Sequence, residues 1–169
     1  VLDIARVQHQ LHHGTAAALA LDKEVRSIWL DWCAQDPVHR NGQLTLLAKD
    51  LMVEFESEHL RRVLLNLLDN ALRYCSSAAD ALQLHTGMGN TGKAQVQVWS
   101  DGAPMDHSVE RHLFEPFFTT KEAGVGLGLG LAISAGIVSD FGGTLSGANH
   151  SDGGALFTLE IPLAKEEHE

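Results

Sequence analysis

The chain has 169 residues, with 12 Lys and Arg against 22 Asp and Glu, a formal net charge of −10 at pH 7. A phosphate backbone calls for a basic face, so nucleic acid is excluded as the expected partner. This length, with 44% hydrophobic residues, suits one domain around one core. Cys33 and Cys75 are too few and too widely spaced for a zinc ribbon, a CxxC site or a disulfide scaffold, and they fit a reducing compartment. No apolar run is long enough to span a bilayer and the first residues lack a signal-peptide pattern, so no membrane contact by this chain is expected.

In chain order, VLDIARVQHQLHHG carries Leu2 and Ala5 on one helical stripe and stops at Gly14, which reads as the tail of a helix and a linker over residues 1–14. Ala16 to Leu21 reads as a strand. Asp22 is placed to cap a helix from Lys23 to about Ala34, whose apolar Val25, Ile28, Trp29 and Trp32 recur at helical spacing. After the turn at Arg40, Asn41 and Gly42, QLTLLAK and the VEF around Phe55 read as short strands. Glu58 to Tyr74 is the strongest helix: Leu60, Val63, Leu64, Leu67, Leu68 and Leu72 form a broad apolar face, and Asn66 and Asn70 share one side a turn apart.

LQLHT and AQVQVWS are two further strands, joined by GMGNTG. Gly87, Gly89 and Gly92 match GxGxxG, yet the next element alternates like a strand, so the segment is expected to be a hairpin and not a dinucleotide loop. A short helix over Asp106 to Leu113 follows, then an apolar helix from Gly130 to Phe141 closed by Gly142 and Gly143. Two final strands, TLSGAN and ALFTLEIPL, are joined by SDGG, and residues 165–169 form an acidic, frayed tail. Without a regular βαβ repeat, the expected architecture is an α/β two-layer sandwich, a mixed, mostly antiparallel sheet with helices on one face.

Gly124, Gly126, Gly128 and Gly130 alternate with Val125, Leu127, Leu129 and Leu131 just before the last helix. Glycine so repeated costs about 1 kcal/mol per residue in a regular element. Exposed N–H groups that lead into a helix N-terminus make an anion site, and phosphate is the usual occupant; a hinge or close helix packing is the plainer alternative. No GxxxxGKS or GxxxxGKT P-loop occurs. Asn66 and Asn70 offer amide oxygens of the hard kind that a nucleotide-bridging Mg²⁺ takes beside its waters, with Arg73 and Tyr74 nearby for a phosphate and a base. A solvated helix face would explain the same residues without a ligand.

Taken in order, LRRVLLNLLDNALRY, SDG, LFEPFFTTK, GLGLGLAIS, DFGG and FTLEIP resemble the ATP-binding catalytic domain of bacterial sensor histidine kinases, within the superfamily of gyrase-type and heat-shock-90-type ATPases. The resemblance covers about Ala16 to Leu163, and the extended ladder with DFGGTL is most similar to the C4-dicarboxylate-sensor branch. It implies a Bergerat-type fold over residues 15–164, with VLDIARV as the end of a dimerisation helix. Asn70 would bind Mg²⁺ through its side-chain oxygen. Asn66 would take the catalytic position where hydrolysing relatives carry a water-activating glutamate; an amide is no general base, which suits phosphoryl transfer. Arg73 and Tyr74 would lie beside the phosphates and the adenine. Phe114, Phe117, Phe118, Thr119, Thr120 and Lys121 match the start of an ATP lid. Gly126, Gly128 and Gly130, with Leu127, Leu129 and Leu131, match the second glycine box.

The first glycine box departs from its DxGxG pattern. Ungapped alignment puts Ser100 at the adenine-binding aspartate, with Asp101, Gly102, Pro104 and Met105 following; a one-residue slip would put Asp101 there instead. Serine accepts only a neutral hydrogen bond. Ala155 stands where many relatives carry a threonine near the adenine. An acceptor histidine in this family is followed directly by an acid and, four residues later, by proline, and none of the ten histidines has that context. His59 and His112 read as helix-surface residues. The resemblance thus implies a cytoplasmic catalytic domain, part of a longer sensor, that binds Mg-ATP and phosphorylates a histidine on a separate dimerisation and phosphoacceptor domain, for relay to a response regulator. The alternative is a degenerate scaffold that binds nucleotide weakly and acts through protein contacts.

Overall fold

A computed structural model describes residues 16–115 and 130–165. The sequence reading of residues 1–14, of Phe117, Phe118, Thr119, Thr120 and Lys121, of Gly124 to Leu129, and of the last four residues lies outside them. In order, the chain forms strand β1 (Ala17–Ala20), helix α1 (Leu21–Gln35), a 3₁₀ turn (Pro37–Asn41), β2 (Gln43–Leu46), β3 (Met52–Phe55) and helix α2 (Ser57–Tyr74). It continues through β4 (Leu82–Met88), β5 (Ala94–Ser100), α3 (His107–His112), α4 (Gly130–Asp140), β6 (Thr144–Asn149) and β7 (Ala155–Ile161). The main sheet has the order β2-β4-β5-β7-β6; β2 and β4 are parallel and the other pairs antiparallel. β1 and β3 form a separate antiparallel ribbon, bridged to the chain end through Val53 and Leu163. The expected two-layer α/β sandwich is the fold observed. Among the described residues no helix is long and apolar enough to cross a membrane.

Strand alternation sets which face is covered. In β5, Ala94, Val96, Val98 and Ser100 are buried while Gln95, Gln97 and Trp99 are half-buried on the opposite face. Phe157, Leu159 and Ile161 of β7 share the core with α1, α2 and α4. The apolar face of α2 is complete: Leu60, Val63, Leu64, Leu67 and Leu68 have no exposed surface. Each buried leucine contributes roughly 2 kcal/mol by area removed from water.

Helix ends show where local expectation and tertiary context part. α1 starts at Leu21, directly out of β1, with Ala20 at the N-cap and no side-chain cap. Asp22 therefore lies inside the first turn and does not cap; its carboxylate accepts a hydrogen bond from the Thr86 hydroxyl at 2.5 Å. Thr86 in turn accepts from Leu47 N at 3.0 Å and Ala48 N at 3.3 Å, so one buried hydroxyl ties α1, the exit of β2 and β4 together. α4 closes as expected: Gly142 has φ +81° and Gly143 N donates to Val138 O at 2.9 Å. His59 is not a surface residue. Its side chain is 12% exposed, with Nδ1 3.2 Å from Glu56 and the ring against Phe141, because α4 returns over the start of α2.

Leu67→Ala is expected to lower unfolding free energy by about 2–5 kcal/mol through the cavity it leaves, read from urea denaturation followed by tryptophan fluorescence.

Candidate functional site

The polar side of α2 is the starting point. With its leucines turned into the core, Asn66 and Asn70 are left half-buried on one flank, and Arg73 and Tyr74 exposed at the helix end. Asn66 Nδ2 donates to Ser134 Oγ at 3.1 Å and to the Gly130 carbonyl at 3.4 Å. These bonds bring Asn66 against the first turn of α4, which begins at Gly130. Leu131, next in α4, is half-buried against the core. Asn70 makes no hydrogen bond among the described residues.

The exit of β5 reaches the same end of α2. A Cβ at Gly102 would lie 1.9 Å from the Tyr74 carbonyl oxygen, so the chain can pass there only as glycine. Ser100 continues the buried side of β5 and is 4% exposed. Asp101, on the opposite side, is engaged elsewhere: its carboxylate accepts from Ser76 N at 2.7 Å and from the Ser76 hydroxyl at 2.6 Å. Those two bonds hold its pKa below the ordinary aspartate value. The parity of β5 thus separates the two candidates: Ser100 turns toward the helix layer that carries Asn66 and Asn70, and Asp101 toward the α2–β4 connection.

Met105 is held by a residue that sequence reading did not single out. Asn149, the last residue of β6, accepts from Met105 N at 2.7 Å and donates to Met105 O at 2.9 Å, while its own N–H donates to Glu110 at 2.7 Å. The only local signal was an asparagine at a strand end, a position with many uses. The structure therefore brings Asn66 against Gly130 and Ser134, and Gly102 against Tyr74, while Met105 is held at the end of β6 by Asn149.

Other groups lie elsewhere. Cys75 lines a small cleft with Trp32, His39, Ser76 and Leu82, which includes none of the expected site residues. Burial pushes the Cys33 and Cys75 thiols up, so neither is an activated nucleophile. Among the described residues, no group of three or more His, Cys, Asp or Glu could hold a metal. The donors that are present, neutral amide oxygens on one helix flank, fit a hard ion that keeps its waters and shares a ligand's phosphate oxygens.

The profile of the histidine kinase-, DNA gyrase B- and HSP90-like ATPases matches residues 55–165. The chain is 32% identical over 167 residues to the sensor protein KdpD of Escherichia coli, covering 96% of this chain and 18% of that protein. It is 34% identical over 126 residues to the two-component sensor PprA of Pseudomonas aeruginosa, covering 68% of this chain and 13% of that one. To the C4-dicarboxylate transport sensor DctB of the same organism it is 36% identical over 112 residues, covering 66% and 18%. It thus spans less than a fifth of the length of these curated relatives. Among solved structures, the catalytic domain of the histidine kinase ThkA superposes with a TM-score of 0.71 at 28% identity, covering 87% of this chain and 95% of that one. Full-length ShkA, crystallised with AMPPNP, shares the fold with a TM-score of 0.74 at 21% identity, covering 98% and 35%.

The lowered Asp101 pKa has a definite sign. Its bonds to Ser76 contribute stability that is fully present above the ordinary aspartate pKa of about 3.9 and is lost as pH falls through the lower folded-state value. Asp101→Asn is expected to be less stable than the unaltered chain at neutral pH, with the gap closing below about pH 4, as read by thermal melts across an acid series.

Proposed function

This chain belongs to the histidine kinase-, DNA gyrase B- and HSP90-like ATPase family, and from that premise we propose that residues 15–164 are the catalytic ATP-binding domain of a two-component sensor histidine kinase. In this reading the domain works in the cytoplasm as part of a longer sensor. It transfers the γ-phosphoryl group of Mg-ATP to a histidine on a separate dimerisation and phosphoacceptor domain, for relay to a response regulator. The observation that carries the reading is the contact of Asn66 with Gly130 and Ser134, which sets the asparagine flank of α2 against the end of the glycine ladder.

Each residue has a task that its chemistry suits. Asn70, with an amide uncommitted among the described residues, would hold Mg²⁺, which when bound neutralises charge on the phosphate oxygens. Arg73 would add positive charge beside the phosphates and Lys121 would do so from the lid segment. Gly126, Gly128 and Gly130 would offer backbone N–H groups. Tyr74, Met105 and Ser100 would border the adenine, with the serine hydroxyl accepting from its amino group in place of a carboxylate. Gly102 lets the chain pass Tyr74 closely enough to form that border. Phosphoryl transfer asks mainly for positioning and charge neutralisation, and an amide at Asn66 cannot activate water as a base, so transfer is favoured over hydrolysis.

Calorimetry is expected to show the isolated chain binding ATP and ADP with Mg²⁺, while γ-labelled ATP leaves the chain itself unlabelled. Asn70→Ala is expected to weaken Mg-ATP binding about tenfold or more, a change of about 1.4 kcal/mol. No adenine-nucleotide binding at about millimolar ligand, where even a dissociation constant near 1 mM is measurable, overturns the reading.

A further inference from the structure

An asparagine amide has two N–H donors and one carbonyl oxygen. For Asn66, both neighbours on α4 accept from the amide nitrogen: Ser134 Oγ, a hydroxyl that can also donate, at 3.1 Å, and the Gly130 carbonyl, which can only accept, at 3.4 Å. Gly130 and Ser134 stand one turn apart on the same side of α4, so the two acceptors meet the two amide hydrogens together. A carbonyl cannot donate, which sets the orientation: the nitrogen faces α4, and Oδ1 keeps its whole acceptor capacity. The Gly130 contact is long. The carbonyl thus selects which end of the amide faces α4, and the shorter bond to Ser134 supplies most of the force that holds it there.

Ser134 has no exposed surface, in a helix whose other buried positions are Ala132, Ile137 and Val138. Packing alone would be served by an apolar residue there, since a hydroxyl buried without a partner is costly. Its partner is Asn66, 68 positions earlier in the chain.

We propose that Ser134 is a positioning residue for the Mg-nucleotide site, holding the Asn66 amide so that an oxygen and not an NH₂ group is presented to the bound metal and phosphates. This rests on the nucleotide-binding function proposed above. An acceptor-only group matches the hydrogens of metal-held water, whereas an amide free to turn offers donors that compete for the phosphate oxygens directly. Ser134 thus tunes how strongly Mg²⁺ assists nucleotide binding, without touching the nucleotide.

Calorimetry of the chain with ATP, once with Mg²⁺ and once with EDTA, separates this role from a structural one. Alanine is a better helix former than serine, so Ser134→Ala retains the fold. It is expected to bind ATP in EDTA within about twofold of the unaltered chain and to lose about fivefold in Mg²⁺, the scale of one net hydrogen bond. In an Asn66→Ala background, Ser134→Ala is expected to add no further loss, because its effect passes through that amide. Equal losses in both arms, no loss in either, or an independent loss in the Asn66→Ala background overturns the proposal. If the unaltered chain binds no nucleotide, the function itself falls; if it binds and Ser134→Ala matches it in both arms, only the role of Ser134 falls.

Discussion

Burying Leu60, Val63, Leu64, Leu67 and Leu68 completely leaves α2 no freedom to turn about its own axis, since each residue is about 100° from the next and a rotation of one position would expose half of that face. The flank with Asn66 and Asn70 is set by the same requirement, because residues a turn apart move together. Core packing and site geometry are therefore one constraint. The sheet supplies the other half: the pleat of β5 puts Ala94, Val96, Val98 and Ser100 on the helix side, so the residue at the strand end inherits its direction from three buried residues before it.

Around this frame, a few polar contacts determine how the loops approach α2. Thr86 gathers Asp22, Leu47 and Ala48; Asp101 engages Ser76; Asn149 grips both backbone groups of Met105. Each satisfies backbone N–H or C=O groups that a loop would otherwise leave open, and so each sets a loop position as well as a stability term. The net charge of −10 has little bearing on whether a polyphosphate is held. In the proposed site, local N–H groups, one ion and a few cations would decide that, and more distant surface charges are screened over about 10 Å.

Periodicity made most of the fold legible. The α2 helix, the β4–β5 hairpin behind a formal GxGxxG, and the glycine closure of α4 all stand where local pattern places them. Local signals misled where tertiary context intervened. Asp22 has the chemistry of a cap, yet β1 enters α1 without a loop, so the residue falls within the first turn and serves Thr86 instead. His59 has the composition of a surface residue but lies under Phe141, which arrives from far along the chain.

What the sequence determined by itself is the set of elements, their amphipathic faces and the residue types available for a nucleotide site, because these follow from spacing along one chain. Only the tertiary structure decided which groups meet: Ser100 or Asp101 at the helix-facing side, Asn149 on Met105, and Ser134 on Asn66. The physical reason is that a hydrogen bond between residues 68 positions apart has no periodicity to announce it. It exists only once two helices have been brought side by side by the apolar surfaces they share.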